Sequence, residues 1–144
     1  MVPTSNKKKK VYVTMVADLF HYGHVVFLRR ARDFGDYLVV GVLTDELAAT
    51  YKRVPILNAE ERMRVVESCR YVDEVRLHDR LLNNEWLQEN GFAARVYAVG
   101  GTDDLIRRQT RKNDFLPEYR IKVPYEPGIS TTGIIERIRS RDAC

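Results

Sequence analysis

Cysteine is scarce in this chain, whose 144 residues include only Cys69 and Cys144. Two cysteines provide neither a disulfide framework nor the ligand spacing of a metal site. No apolar run approaches the roughly 20 residues that a membrane-spanning helix needs. The glycine-rich fingerprints of dinucleotide-binding and P-loop proteins are absent as well. These absences argue against a disulfide-stabilised domain and a membrane protein, and they predict a reduced, cytoplasmic setting.

Neither sign of charge dominates the chain. Lys and Arg number 24 against 20 Asp and Glu, a net charge of +4 to which the run Lys7–Lys10 contributes. So small an excess does not indicate a nucleic-acid partner, although it suits a small anionic substrate. We interpret residues 1–10 as a basic, disordered tail that lacks the features of a signal peptide, and residues 11–144 as one domain.

The domain alternates between strand and helix patterns. Continuous β-branched and apolar residues indicate buried strands, whereas apolar residues at every third or fourth position indicate helices. The predicted strands are residues 10–16, 37–43, 71–77, 95–99 and 120–123. The predicted helices are residues 24–34, 59–69, 84–90 and 105–112, a short one starting at 44–46 and a terminal one starting at 130–132. This order predicts an α/β, Rossmann-like fold, an open and mostly parallel sheet with helices on both faces.

Two of the three histidines lie in His21-Tyr22-Gly23-His24, between the first strand and the first helix. A helix start offers a phosphate both unpaired backbone N–H groups and the positive end of a dipole. Imidazoles three residues apart can face one side there, and we expect Gly23 to leave room for a ligand. The alternative is that these histidines are surface or core residues, but the motif in its context favours phosphate binding. The third histidine, His78, receives no role.

Two further turns lie at the carboxyl ends of strands, where ligands bind in such folds. They are Gly100-Gly101-Thr102 and the helix start Ser130-Thr131-Thr132. The segment 51–57, which contains Lys52 and Arg53, predicts a mobile basic loop that can fold across the site. Two helix starts, one with histidines and one with hydroxyls, together with this loop predict a site for nucleotidyl transfer from a polyphosphate.

Three segments carry a family resemblance when taken together: DLFHYGH at 18–24, RYVDEV at 70–75 and GISTT at 128–132. They resemble the cytidylyltransferases, which include the glycerol-3-phosphate, choline-phosphate and ethanolamine-phosphate enzymes. The resemblance covers roughly residues 11–139. It implies CTP and a small phosphorylated acceptor as substrates, Mg²⁺ bound with CTP, and pyrophosphate as the leaving group. It also implies a homodimer with residues 70–75 near the subunit contact.

The resemblance further implies roles for single residues. His21, His24 and Lys52 would be catalytic, because they would contact the phosphates as charge develops in the transition state. Nucleotide binding would fall to Val16, Ala17, Asp18, Gly23, Arg70, Gly128, Ile129, Ser130 and Thr131. Alternatives stay open for three of these residues. Arg70 could form an ion pair with Asp73 or Glu74, Ser130 could be a helix cap, and Lys52 could be solvated.

The chain departs from the family pattern in two places. Met15-Val16-Ala17-Asp18 replaces Gly-Thr-Phe-Asp, which should reshape the floor of the pocket. Tyr125-Glu126-Pro127 replaces the Arg-Thr-Glu that precedes Gly-Ile-Ser, so a guanidinium that could grip a phosphate is lost. We therefore expect an unusual acceptor, a small phosphonate or an atypical phosphate ester. The missing charge would come from Arg107, Arg108 or Arg111.

Two rival functions are compatible with the same sequence. One is an adenylyltransferase of the same superfamily, because His-x-Gly-His is shared with many such enzymes. The other is a nucleotide-binding module without catalysis, which the altered run at 15–18 motivates. Retention of both histidines, Lys52 and the Ser-Thr-Thr turn favours an active enzyme.

Overall fold

The structure, a computed structural model, describes residues 8–80, 82–98, 120–124 and 126–142. Its strands are β1 (Lys10–Met15), β2 (Tyr37–Leu43), β3 (Glu74–His78), β4 (Ala94–Ala98) and β5 (Arg120–Val123). Its helices are α1 (Tyr22–Arg32), α2 (Asp45–Tyr51), α3 (Ala59–Glu67), α4 (Asn84–Glu89) and α5 (Thr131–Asp142). In this part of the chain, no helix is both long enough and apolar enough to cross a membrane.

All five strands pair in parallel, in the order β3-β2-β1-β4-β5. The predicted Rossmann-like parallel sheet is therefore confirmed. The chain first moves outward from β1 to β2 and β3, and then returns to the other side of β1 for β4 and β5. Ligands of such sheets bind where the strand order reverses, just beyond the carboxyl end of the central strand. The end of β1 lies at that position, and the residues after it build the candidate site.

Both faces of the sheet are covered, as the continuous apolar strands predict. Alternate residues of β1 enter two different clusters, because side chains along a strand point to opposite faces. One cluster joins β1 and β2 to α1 and α3 and includes Val11, Val13, Met15, Leu28, Ala31, Val40 and Val66. The other includes Tyr12, Val39, Leu82, Leu87 and Phe92, with Trp86 packed against it.

Most element bounds agree with the sequence analysis, and the differences lie at element ends. Strands β2 and β5 have the predicted bounds, and Asn58 and Glu61 form the predicted capping box of α3. Helix α3 ends at Glu67, two residues before its predicted end, and β3 begins at Glu74 rather than at residue 71. The predicted turn at 100–102, the helix at 105–112 and residues 1–7 of the predicted tail lie outside the described residues.

A buried tyrosine fixes the second face of the sheet. The Tyr12 hydroxyl lies 2.9 Å from Nδ1 of His78, and both residues are buried. The Tyr12 ring also packs on Trp86 and Phe92, with ring centroids 4.9 Å apart in each pair. A Cβ atom at Gly41 of β2 would lie 2.0 Å from the Tyr12 hydroxyl oxygen. Gly41 is therefore required for this packing, and His78 has a structural role that the sequence did not indicate.

Arg62 of α3 is fully buried and connects three segments below the site. Its guanidinium donates to the carbonyl oxygens of Leu57 (2.9 Å) and Val16 (2.7 Å) and to the Asp45 carboxylate (2.6 Å). A planar group with five N–H donors can satisfy several acceptors at once, which a lysine could not do with this geometry. Arg62 thus fixes the end of β1 relative to α2 and to the loop before α3.

Candidate active site

Helix α1 begins with a capping box made by two histidines. His21 is the N-cap residue, and its Nδ1 accepts a hydrogen bond from the Gly23 N–H at 3.1 Å. Nδ1 of His24 accepts one from the His21 N–H at 3.0 Å. Imidazole nitrogens thus replace the hydroxyl and carboxylate oxygens that usually form this motif. For that reason the helix starts at Tyr22, two residues before its predicted start.

The caps determine which nitrogen of each imidazole ring carries the proton. Because each Nδ1 accepts from a backbone N–H, each neutral ring carries its proton on Nε2. The two rings lie side by side, with centroids 3.9 Å apart, and the His24 ring stacks on Phe20 at 5.2 Å. The start of α1 therefore carries two Nε2–H donors, of which that of His21 points to the Thr131 hydroxyl oxygen 3.4 Å away.

Burial keeps both histidines neutral. It is the main reason why the pKa of His24 falls to about 3, and the charges of His21 and Lys52 lower the pKa of His24 further in the same direction. Burial also lowers the pKa of His21. The pKa of Lys52 is lowered as well, by burial first and by the Arg53 charge second. The rings consequently act as neutral hydrogen-bond donors around neutral pH, and Lys52 lies within electrostatic reach of His24.

We expect the free energy of unfolding to fall as the pH drops below about 6.5, in part because of His24, whose pKa falls from 6.5 to about 3 on folding. Between these two values the unfolded chain binds a proton that the folded chain does not, so acid favours unfolding. Urea denaturation between about pH 7.5 and pH 5 measures the slope. His24→Asn should reduce the slope below about pH 6.5. An unchanged slope in this variant would contradict the lowered pKa.

The start of α5 adjoins the start of α1, as the sequence analysis predicted. The Thr131 hydroxyl donates to the Asp18 carbonyl oxygen at 2.8 Å, and its oxygen lies 3.4 Å from Nε2 of His21. The Ser130 hydroxyl accepts a hydrogen bond from the Gly133 N–H at 3.0 Å, so Ser130 caps α5. This role is compatible with nucleotide binding by Ser130, which stays a prediction. The hydroxyl of Thr131 thus joins the two helix starts, and its predicted contact with nucleotide stays a prediction.

The residues at the end of β1 form the frame of the site. Both carboxylate oxygens of buried Asp18 accept backbone N–H groups, from Ile56 at 2.8 Å and from Leu57 at 3.0 Å. Ala17 is buried with φ at 58°, and the Val16 carbonyl oxygen accepts a hydrogen bond from Arg62. Asp18 therefore anchors the basic loop through its carboxylate, and its predicted role in nucleotide binding stays a prediction.

The basic loop crosses from α2 to α5. Lys52 is the C-cap residue of α2, and Arg53 donates from Nη1 to the Thr132 hydroxyl at 3.2 Å. The loop therefore folds across the two helix starts, as predicted. Arg53 received no role in the sequence analysis, because the destination of a long side chain in a loop has no local signal.

The prediction that Gly23 leaves room for a ligand is wrong. A Cβ atom there would lie 2.9 Å from Cε1 of His21 and 3.2 Å from Cγ2 of Ile129. Gly23 is instead needed so that the His21 ring can fold back over its own helix start against Ile129. Gly128 precedes Ile129 with φ at 95°, a conformation that favours glycine.

A comparison with protein families matches residues 16–137 to the family described as Cytidylyltransferase-like. The chain belongs to this family. Choline-phosphate cytidylyltransferase A of Rattus norvegicus is 38% identical over an alignment of 137 residues that covers 90% of this chain and 36% of that protein. Ethanolamine-phosphate cytidylyltransferase of Dictyostelium discoideum is 50% identical over 76 residues, which are 52% of this chain and 21% of that protein. The chain thus spans about a third of the length of the first relative and a fifth of the second.

A solved structure agrees with the fold. The crystal structure of the lipopolysaccharide core biosynthesis protein from Thermoplasma volcanium GSS1 has a TM-score of 0.66 and 23% identity to this chain. The match covers 85% of this chain and 100% of that chain. At this identity the likeness supports the Rossmann-like architecture.

Arg70 is one position of this cytidylyltransferase-like domain that does not reach the site. It is exposed between α3 and β3, at the amino ends of the strands, where the Asp73 N–H donates to the carbonyl of Leu38 near the start of β2. The alternative for Arg70, an ion pair with Asp73 or Glu74, is not found among the described residues either. Asp73 lies 3.3 Å from Arg32, and Glu74 pairs with Arg76. The homodimer expected around residues 70–75 stays a prediction.

The segment before Gly128 is held by an ion pair that the sequence analysis missed. Arg30 of α1 lies 3.0 Å from the Glu126 carboxylate and also donates to the Pro124 carbonyl at 3.1 Å. Tyr125, which replaces the arginine of the family pattern, lies outside the described residues, as do Arg107, Arg108 and Arg111. The predicted substitution of charge by one of those arginines therefore stays a prediction.

Proposed function

We propose that this domain transfers CMP from CTP to a small phosphorylated acceptor and releases pyrophosphate. One observation carries the proposal: two neutral imidazoles are locked with Nε2 as the donor nitrogen, and His21 contacts the start of a second helix through Thr131. Two adjoining helix starts and the Lys52 ammonium add positive potential at the same place. The names of the relatives, choline-phosphate and ethanolamine-phosphate cytidylyltransferase, support CTP as the donor and a phosphate monoester as the acceptor.

The reaction needs positioning and charge stabilisation rather than a covalent intermediate. A phosphate oxyanion of the acceptor attacks the α-phosphorus of CTP in line, and the bond to the bridging oxygen of pyrophosphate breaks. Negative charge grows on the α-phosphoryl oxygens and on the leaving group. The Nε2–H groups of His21 and His24 and the ammonium of Lys52 meet that charge in a preorganised arrangement. Because the rings are neutral, they stabilise charge without having to transfer a proton.

Mg²⁺ enters the proposal as part of the nucleotide substrate. Within the described ranges, no group of three or more His, Cys, Asp or Glu side chains could hold a metal ion. Both carboxylate oxygens of Asp18 are already bonded to backbone N–H groups. Magnesium commonly binds substrate phosphates and keeps several waters. We therefore propose that Mg²⁺ is held by the phosphate oxygens of CTP rather than by a cage of these side chains.

A phosphonate is the second candidate for the acceptor. Tyr125 stands where the family pattern has an arginine before Gly-Ile-Ser, and Glu126 is held against Arg30. These changes alter the charge beside the start of α5, where an acceptor would lie. A phosphonate offers the same attacking oxyanion as a phosphate ester but with a carbon atom bonded to phosphorus.

Pyrophosphate release tests the proposal, with CTP or ATP as donor and four acceptors: choline phosphate, ethanolamine phosphate, glycerol 3-phosphate and 2-aminoethylphosphonate. We expect turnover with CTP that depends on one of these acceptors. Preference for ATP would instead establish the adenylyltransferase. Binding of CTP without turnover for any acceptor would favour the silent nucleotide-binding module. If both compounds are active, a preference for glycerol 3-phosphate over 2-aminoethylphosphonate would exclude a phosphonate as the acceptor.

A further inference from the structure

The Arg53 side chain extends from the loop after α2 across the candidate site. Its backbone belongs to the loop after α2, and its guanidinium reaches the first turn of α5 to donate to the Thr132 hydroxyl at 3.2 Å. Thr132 follows Thr131, whose hydroxyl oxygen lies 3.4 Å from Nε2 of His21. The guanidinium is therefore placed beside the helix start that adjoins the histidines.

Arg53 also has unused binding capacity. Its Nε is buried and has no hydrogen-bond partner, although buried polar groups are nearly always paired. Among the ion pairs of the described residues, none includes Arg53. A guanidinium offers five N–H donors in a fork that fits phosphate oxygens, and only the contact with Thr132 is seen here. This buried donor has no protein acceptor and lies beside a candidate phosphate site. An anionic ligand bound there would supply the missing acceptor.

We propose that Arg53 binds the β- and γ-phosphates of the nucleoside triphosphate. The inference rests on the proposed function, because it assumes that the triphosphate lies between α1 and α5. Lys52 is the C-cap residue of α2, and its charge acts on His24 at the start of α1, where the α-phosphorus would be attacked. Arg53 lies on the α5 side, where the rest of the triphosphate extends. Two consecutive basic residues thus contact different phosphates of the triphosphate. Arg53 also supplies a guanidinium, which the family pattern has at the position of Tyr125.

Nucleotide binding measured by calorimetry tests the assignment, with CTP and CMP as paired ligands. We expect Arg53→Gln to weaken CTP binding about ten- to a hundredfold, the usual range for charge-assisted hydrogen bonds, while CMP binding changes less than about twofold. Arg53→Lys should lie between the wild type and Arg53→Gln, since it keeps the charge without the fork. Arg29→Gln is the matched control, because it removes the same charge from an exposed position in the last turn of α1.

Three results would overturn the assignment. They are unchanged CTP affinity in both Arg53 variants, equal losses for CTP and CMP, or an equal loss of CTP affinity in Arg29→Gln. Inorganic tripolyphosphate separates this inference from the proposed function, because it carries linked phosphates without a base. If the wild type binds tripolyphosphate but not CTP, the proposed function fails. Weaker tripolyphosphate binding by Arg53→Gln would then still support the contact, and unchanged binding would refute it.

Discussion

Replacing His24 with Asn should lower kcat about a hundred- to a thousandfold while α1 keeps its start. The carbonyl oxygen of Asn can accept the His21 N–H that Nδ1 of His24 accepts now, but Asn has no donor at the position of Nε2. The variant therefore removes the proposed transition-state contact and keeps the cap. Pyrophosphate release under saturating CTP measures the rate, and thermal unfolding measures the cap.

His24→Gln is the matched counterpart of this experiment. Gln is a usual residue at this capping-box position, so its amide oxygen can accept the His21 N–H. Its amide nitrogen then provides a donor near the position of Nε2. We expect a smaller loss of rate than in His24→Asn, and a free energy of unfolding within about 1 kcal/mol of the wild type because the cap is kept. If both variants lose activity only in proportion to stability, His24 serves as a helix cap alone. That result would remove His24 from the proposed mechanism.

Replacing Gly41 with Ala should lower the free energy of unfolding by about 3 kcal/mol or more, the upper range for overpacked cores. The new Cβ would lie 2.0 Å from the hydroxyl oxygen and 2.7 Å from Cζ of Tyr12, inside a central strand that cannot move aside. Tyr12 in turn is enclosed by Trp86 and Phe92. Urea denaturation measures the change, and a loss below about 1 kcal/mol would show that the strands adjust.

Tyr12→Phe provides the control for Gly41→Ala. Alone it should cost about 1 kcal/mol, because the hydrogen bond to His78 is lost. In the double variant the hydroxyl group that clashes most closely is absent. The double variant should therefore lose less free energy of unfolding than the sum of the two single variants. Simple additivity would mean that the hydroxyl group is not what Gly41 accommodates.

The sequence predicted the architecture well because periodicity and helix caps are local. The seven apolar residues Tyr37–Leu43 indicated a strand covered on both faces, and that strand has the predicted bounds. Asn58 and Glu61 likewise carry their capping signal within one turn. The start of α1 was misplaced because imidazole caps do not follow the usual pattern of hydroxyl and carboxylate residues.

The neighbourhood of the site was predicted, but several roles within it were not. His21, His24, Lys52 and Thr131 do come together, since strand ends and helix starts of this fold share one edge. The roles of Asp18, Arg53 and Arg62 depend on where long-range contacts place their polar atoms. Arg62 looks like any charged residue on an amphipathic helix, and only the folded chain shows that it is buried under β1. Arg70 lies before β3, at the end of the sheet away from the histidines, and its predicted nucleotide contact stays a prediction.

Asp18 forms hydrogen bonds with residues that lie far from it in the sequence. Its hydrogen bonds span 38 and 39 residues to the loop before α3 and 113 residues to Thr131. A growing polypeptide that has not yet extended past Thr131 lacks one side of the candidate site, even if its first strands have formed. The proposed recognition of CTP would thus require the whole domain, and a ligand bound between the two helix starts would stabilise early and late segments together.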